Sequence, residues 1–141
     1  MSVTDPDCLF CKIVAGEIPA TVIASDERTV TFMDINPATR GHALVVPRIH
    51  ARDLLEIDPD DLAAVTQAGQ RLAKVANDAL QADGITLINS CGAAAWQTVF
   101  HFHLHVIPRY ADDPLRLPWV PGPGDMDEIQ ATGAELKEHY A

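Results

Sequence analysis

Phe100-His101-Phe102-His103-Leu104-His105-Val106-Ile107 decides how this chain is read. Three histidines alternate with large apolar residues. Successive side chains of a β-strand point to opposite faces. His101, His103 and His105 therefore share one face, while Phe100, Phe102, Leu104 and Val106 share the other and turn into a core. At roughly 3.3 Å per residue the outer histidines stand about 13 Å apart. That row is long enough to follow a phosphate chain and too long for all three imidazoles to hold one metal ion. One buried histidine is an ordinary core residue. Three on one face are not, because each ring brings two nitrogens that need partners. Pro108 has no amide proton for a ladder and is expected to end the strand.

Working outward, Gln97 to Ile107 is expected to form a fifth strand, preceded by a loop of small residues from Ser90 to Trp96 and a fourth strand from Ile85 to Asn89. Asp58-Pro59-Asp60-Asp61 is a strong helix start: a cap, a proline in the first turn and acids at the positive end of the dipole. Leu62, Val65, Gly69, Leu72, Ala76 and Ala79 follow at helical spacing, so one long helix is expected, ending near Asp83-Gly84. Further upstream, His42 to Val46 reads as a strand ended by Pro47. Asn36 to Gly41 is a loop, and Thr21 to Ser25 and Arg28 to Asp34 are strands joined by a tight turn at Asp26-Glu27. Cys8 to Ala15 can form a short helix, capped by Asp7 and stopped by Gly16. Downstream, Ala111 to Asp125 is rich in Pro and Gly, and Met126 to His139 reads as a weaker helix. The pattern predicts an α+β fold: a five-stranded, mostly antiparallel sheet with one long helix. A single domain over residues 1–141 is expected, with a core at 8–110 and a tail at 111–141.

The chain has 141 residues and a formal net charge of -10. That balance argues against binding nucleic-acid polymers, which takes clusters of Lys and Arg. It does not exclude a small nucleotide. No apolar run reaches transmembrane length, and Met1 to Asp7 is polar and acidic, unlike a signal peptide. Three cysteines, two of them in Cys8-x-x-Cys11, fit a reducing compartment, so a cytoplasmic location is expected.

With these stretches together, the chain resembles the histidine triad (HIT) superfamily of nucleotide hydrolases and transferases. His101-Phe102-His103-Leu104-His105-Val106-Ile107 matches the family's alternating signature. Cys8 to Pro19, Phe32 to Pro37, Gly41 to Pro47 and Gln97 to Phe100 resemble bacterial members. The resemblance implies a homodimer with a sheet continuous across its interface. It also implies cleavage at the α-phosphate of a purine nucleotide, such as a nucleoside 5'-phosphoramidate or a dinucleoside polyphosphate. The route would be a nucleotidyl-histidine intermediate that water hydrolyses.

By that resemblance His103 is the nucleophile, flanked by His101 and His105, with His105 stabilising charge on the phosphate. Asn89, Gln97 and Thr98 would offer neutral donors around it. Asp34 would accept the ribose hydroxyls, with Phe32 and Ile35 lining the base pocket; a turn-capping role for Asp34 is the alternative. His42 reads either as a support beneath the triad or as a satisfied core histidine. Trp96 departs from the pattern, since the family commonly has glycine before this glutamine. It is expected on the leaving-group side, narrowing substrate choice. Cys8 and Cys11 are close enough in sequence to chelate one ion, with buried thiols or a redox pair as alternatives. The resemblance adds His50 and His101 and makes the set a structural zinc site, one ion per chain. Two other readings stay open: a hydrolase using His-x-His to hold a catalytic zinc, and a nucleotide-binding module with little turnover.

Overall fold

The computed structural model describes residues 4–140. Residues 1–3 and 141, counted above in the expected domain and polar N-terminus, lie outside the described residues. The elements run α1 (Leu9–Val14), β1 (Val22–Ser25), β2 (Thr29–Met33), β3 (Ala43–Pro47), α2 (Pro59–Leu80), β4 (Gly84–Ile88), β5 (Leu104–Arg109) and α3 (Met126–His139). The five strands form one sheet in the order β1-β2-β3-β5-β4, with every pairing antiparallel. The α+β class and the five-stranded sheet are as the sequence predicts. No helix among the described residues is long and apolar enough to cross a membrane.

Local chemistry explains the framework. Asp26 Oδ1 accepts from the amides of Arg28 and Thr29 and closes the turn between β1 and β2. Asp58 caps α2 by accepting from Asp60 N, with Pro59 in the first turn and Asp60 and Asp61 following. Val65, Ala68 and Ala76 of α2 are buried, and α2 lies on one face of the sheet over Val45, Phe102, Leu104 and Val106. Gly69 permits the approach: a Cβ there would sit 2.8 Å from Leu104 Cδ2. On the other face α1 packs Phe10 and Cys11 against Val30, Phe32, Leu44 and Val46. The histidine row faces this second layer.

Several boundaries differ from expectation, each for a local reason. The fifth strand begins at Leu104 instead of Gln97. The run 97–103 is held largely by side chains: the Gln97 amide bonds the backbone of Gly92, Arg52 and Val99, while Gln97 N turns back to the Gly92 carbonyl and Phe102 N reaches that of Ala51. Phe100 is 45% exposed and outside the core, because the alternation of sides sets in only at Phe102. The strand also passes through Pro108 to Arg109. Pro108 pairs with Ile85 of β4, and its carbonyl faces the β3 side, where it accepts from Thr39 Oγ1. The missing amide proton points the same way, beyond the last β3 pair at Ala43–Val106, and no ladder bond is lost. The cap of α1 is Cys8 instead of Asp7, its sulfur accepting from Cys11 N. Helix α2 stops at Leu80, with Gln81 in a left-handed conformation.

Residues 116–140, including all of α3, are exposed. Leu117, Trp119, Val120, Ile129, Leu136 and Tyr140 are among the large apolar side chains left uncovered.

Candidate active site

His103 and His105 open onto a cavity of about 350 Å³, a size suited to a small ligand. Its apolar wall comes from α1, β2 and β3: Leu9, Phe10, Ile13, Phe32 and Leu44. Asp34, Asn36, Thr98 and the two histidines supply its polar groups, and no lysine or arginine lines it. A larger open cleft of about 1120 Å³ lies elsewhere, beside Asp58, Asp60 and Asp61. None of its lining residues belongs to the cavity at His103, and its carboxylates suit an anionic ligand poorly.

Hydrogen bonds fix the tautomers around the cavity. His103 Nδ1 donates to the carbonyl of His101 at 2.7 Å, which leaves the Nε2 lone pair free. Ala38 N donates to His42 Nδ1 at 2.9 Å, so His42 carries its proton on Nε2 and donates to His105 Nδ1 at 2.9 Å. His105 in turn keeps its proton on Nε2. The two rings thus present complementary nitrogens, a lone pair on His103 and an N–H on His105, with centroids 5.0 Å apart. Asp34 Oδ2 stands 3.4 Å from His42 Nε2 and 4.0 Å from His105 Nδ1. Burial pushes His105 down to about 4, helped by the charges of His103 and His42 and opposed by Asp34. Burial also lowers His103 and His42, with Asp34 opposing in both. All three rings are therefore neutral at pH 7.

The remaining expected residues divide. Phe32 is buried against the cavity and Ile35 stands at its lip, 89% exposed. Asp34 lines the cavity and also caps its own turn, its Oδ1 accepting from Asn36 N at 2.7 Å. Thr98 reaches the cavity. Gln97 does not act as a free donor: both Nε2 protons go to the Arg52 and Val99 carbonyls and Oε1 accepts from Gly92 N. Asn89 Nδ2 likewise donates to the His103 carbonyl at 2.9 Å, so its amide is spent on the His103 backbone. Its Oδ1 is buried without a partner. Trp96 lies outside the cavity lining and is 67% exposed. Two contributors escaped the sequence reading. Phe10 sets its ring edge-on to His103 and Phe32, with centroids at 5.1 and 5.4 Å. Ala38 contributes only its amide. A phenylalanine on a six-residue helix carries no signal of its partner, and a backbone donor carries none at all.

Behind His103, four side chains converge. The Cys8, Cys11, His50 and His101 donor atoms all lie within 4.8 Å of one another. His101 Nδ1 is 3.4 Å from Cys8 Sγ, 3.5 Å from Cys11 Sγ and 3.3 Å from His50 Nδ1. A tetrahedral zinc with ordinary bond lengths separates its ligands by about 3.3 to 3.8 Å. His101 Nε2 donates to the Pro47 carbonyl at 2.8 Å, leaving the Nδ1 lone pair turned to the cluster, as a ligating imidazole requires. The donor set and spacing fit one tetrahedral ion. Among the described residues, the other group able to hold a metal is Asp34, His42 and His105. His103 belongs to neither group, so neither His-x-His pair is assembled as a chelate.

A five-stranded antiparallel α+β fold in which β5 and the segment leading into it present neutral histidines to a cavity sized for a small ligand defines the class. The HIT domain family model matches residues 15–112, and the chain belongs to the HIT family. The "Protein hit" of Bacillus subtilis is 38% identical over 104 residues, 74% of this chain and 72% of its own. The Arabidopsis thaliana "Adenylylsulfatase HINT3" is 37% identical over 77% of this chain and 55% of its own length. Among solved structures, SMU.412c of Streptococcus mutans matches with TM-score 0.94 and 36% identity, over 100% of this chain and 90% of that one. A zinc-bound histidine triad protein of Mycobacterium smegmatis matches with TM-score 0.76 and 42% identity, over 94% and 96%. A histidine triad nucleotide-binding protein of Candida albicans matches with TM-score 0.83 and 30% identity, over 94% and 96%.

Proposed function

We propose that this protein binds purine nucleotide conjugates and hydrolyses them at the α-phosphate, as a phosphoramidase or dinucleoside polyphosphate hydrolase. The observation that carries the reading is the His103 Nδ1 bond to the His101 carbonyl, 2.7 Å long. It leaves a neutral imidazole with its reactive lone pair on the cavity side. The base would lie against Phe32 and Ile35 and the ribose hydroxyls against Asp34. His103 Nε2 attacks the α-phosphorus and forms a P–N bond. The bond from phosphorus to the leaving group breaks, and His105 Nε2–H gives its proton to the departing atom. Water then attacks the same phosphorus, His105 Nε2 takes a water proton, and the P–N bond to His103 breaks. The products are a nucleoside monophosphate and the free leaving group. The names of the Arabidopsis and Candida relatives support a nucleotide substrate.

The Cys8, Cys11, His50 and His101 set fits a structural zinc, one per chain, a reading that the zinc-bound Mycobacterium smegmatis relative supports. When bound, the ion would tie α1 to the catalytic segment and supply no step of the reaction. The exposed Leu87 and Ile88 of the edge strand β4 and the uncovered apolar side chains after Arg116 favour a homodimer. Free thiols at Cys8, Cys11 and Cys91 suit the reducing cytoplasm.

The test is a panel of adenosine and guanosine phosphoramidates and dinucleoside polyphosphates offered to purified protein, with an alkaline quench to preserve a P–N adduct. Turnover with label on His103 supports the reading. His103→Ala is expected to lower turnover by roughly a thousandfold or more while nucleotide binding persists. Binding with no released product from any substrate would leave a binding module instead.

A further inference from the structure

Trp96 adopts φ 77° and ψ 16°, in the left-handed region that a bulky side chain enters only when its surroundings enforce it. The enforcement is visible. Trp96 N donates to the Ala93 carbonyl at 3.0 Å and Gln97 N to the Gly92 carbonyl at 3.1 Å. The buried Gln97 amide clamps the same loop through Gly92, Arg52 and Val99. None of these bonds uses the indole, which is 67% exposed. Burial therefore does not account for a tryptophan here, and glycine would satisfy the same loop without strain.

The position indicates a use. Trp96 is two residues from Thr98, which lines the cavity beside His103 and His105. Two residues span at most about 7 Å, so the Trp96 backbone stands within about that distance of Thr98, on the side from which a group leaving the α-phosphorus would depart. A nucleoside and its α-phosphate occupy the cavity in the reading above, and the leaving group extends beyond it. The cavity lining holds no lysine or arginine to neutralise further phosphates, which favours a leaving group without charge. An exposed indole on a firmly held backbone offers such a group a flat face for stacking.

We propose that Trp96 is a stacking platform for a planar leaving group. It would favour nucleoside 5'-phosphoramidates of aromatic amines over those of alkyl amines. The proposal rests on the phosphoramidate reading of the site. A second nucleobase, as in a dinucleoside polyphosphate, presents the same planar chemistry and is distinguished in the test.

Adenosine phosphoramidates of an aryl amine and of an alkyl amine, and a diadenosine polyphosphate, are compared in wild type, Trp96→Gly and Trp96→Phe. In wild type the aryl substrate is expected to exceed the alkyl one in kcat/KM by about tenfold or more. The ratio should fall towards one in Trp96→Gly and be largely kept in Trp96→Phe. Glycine suits the left-handed backbone, so this variant should melt no lower than wild type. A ratio unchanged by Trp96→Gly overturns the proposal. A diadenosine polyphosphate rate that drops most on removing the indole keeps the platform and assigns its face to a nucleobase. Binding supplies a readout independent of turnover. Trp119 is the other tryptophan of the chain's two, so a His103→Ala, Trp119→Phe protein reports Trp96 fluorescence alone. Quenching by the aryl and not the alkyl conjugate supports the platform. Equal responses overturn it. Quenching in a protein that turns over no substrate would sink the hydrolase reading and leave the platform standing.

Discussion

His42 Nε2 lies 2.9 Å from His105 Nδ1, and the direction of that bond is set from the far side of the His42 ring, where Nδ1 accepts from Ala38 N. His42 is buried, and in the proposed reaction it would act on the substrate only through His105. It is a positioning residue that decides which His105 nitrogen carries the proton.

His42→Ala is accordingly expected to lower kcat by roughly a hundredfold, as loss of a well-oriented acid does. KM should stay within about threefold, because the nucleotide contacts are elsewhere. His42→Gln keeps an N–H near the same place and should restore part of the rate. Steady-state kinetics of the three proteins decide this; equal losses in both variants would reduce His42 to a packing residue.

The low proton affinities of the histidines bear on pH in two ways. His105, held down to about 4, and His103, also lowered by burial, stay neutral well below the ordinary histidine value of about 6.5. The kcat/KM profile should remain level from pH 7 downward and turn over with a midpoint below about 6. A midpoint at 6.5 would show rings as solvated as in a free peptide. For stability, the unfolded chain binds protons near pH 6.5 and the folded His105 only near 4. Stability is full above the unfolded value and declines as pH falls between the two. Melting temperatures taken from pH 7 to 4 are expected to fall across that window.

Metal removal should separate folding from chemistry. Protein purified without added zinc is expected to hold about one zinc per chain. Cys8→Ser should lower metal content and melting temperature together while a measurable rate survives. Full loss of metal with an unchanged melting temperature would refute a structural role.

Gln97 gives a further measurable consequence of its three backbone bonds. Gln97→Ala leaves the Gly92 amide and the Arg52 and Val99 carbonyls without those partners. It should destabilise the protein by about 2 kcal/mol, read as a lower urea midpoint with an unchanged slope. A direct phosphate donor would instead show its loss mainly in catalysis.

The alternation of histidine and apolar side chains made the fold and the one-sided histidine row legible, because period-two burial is a property of local sequence. The α2 start at Asp58-Pro59 was legible for the same reason. Phe100 and Gln97 were misread because an irregular, side-chain-held segment looks like a strand when hydrophobicity alone is followed. Nothing local distinguishes a glutamine that binds a phosphate from one that binds its own loop. The partnership of Phe10 with His103, and of Ala38 with His42, exists only after distant elements meet. Spacing exposed Cys8 and Cys11 as a pair, whereas His50 and His101 join them through tertiary structure, and the family resemblance was needed to name them.

Cys8 and His101 touch across 93 positions of chain, Sγ to Nδ1 at 3.4 Å, and the His101 carbonyl is the group that holds the His103 proton. That single contact closes a loop around almost every strand of the sheet. The entropy of closing so long a loop grows only slowly with its length, but the closure waits for the intervening contacts to form. The segment that orients His103 is therefore anchored to the first helix of the chain, which emerges long before it during synthesis. A chain whose first helix has come loose keeps the His101 bond to the Pro47 carbonyl but loses both sulfur contacts that pin the segment beside His103. Full order around His103 is thus reached only after segments 93 positions apart have met.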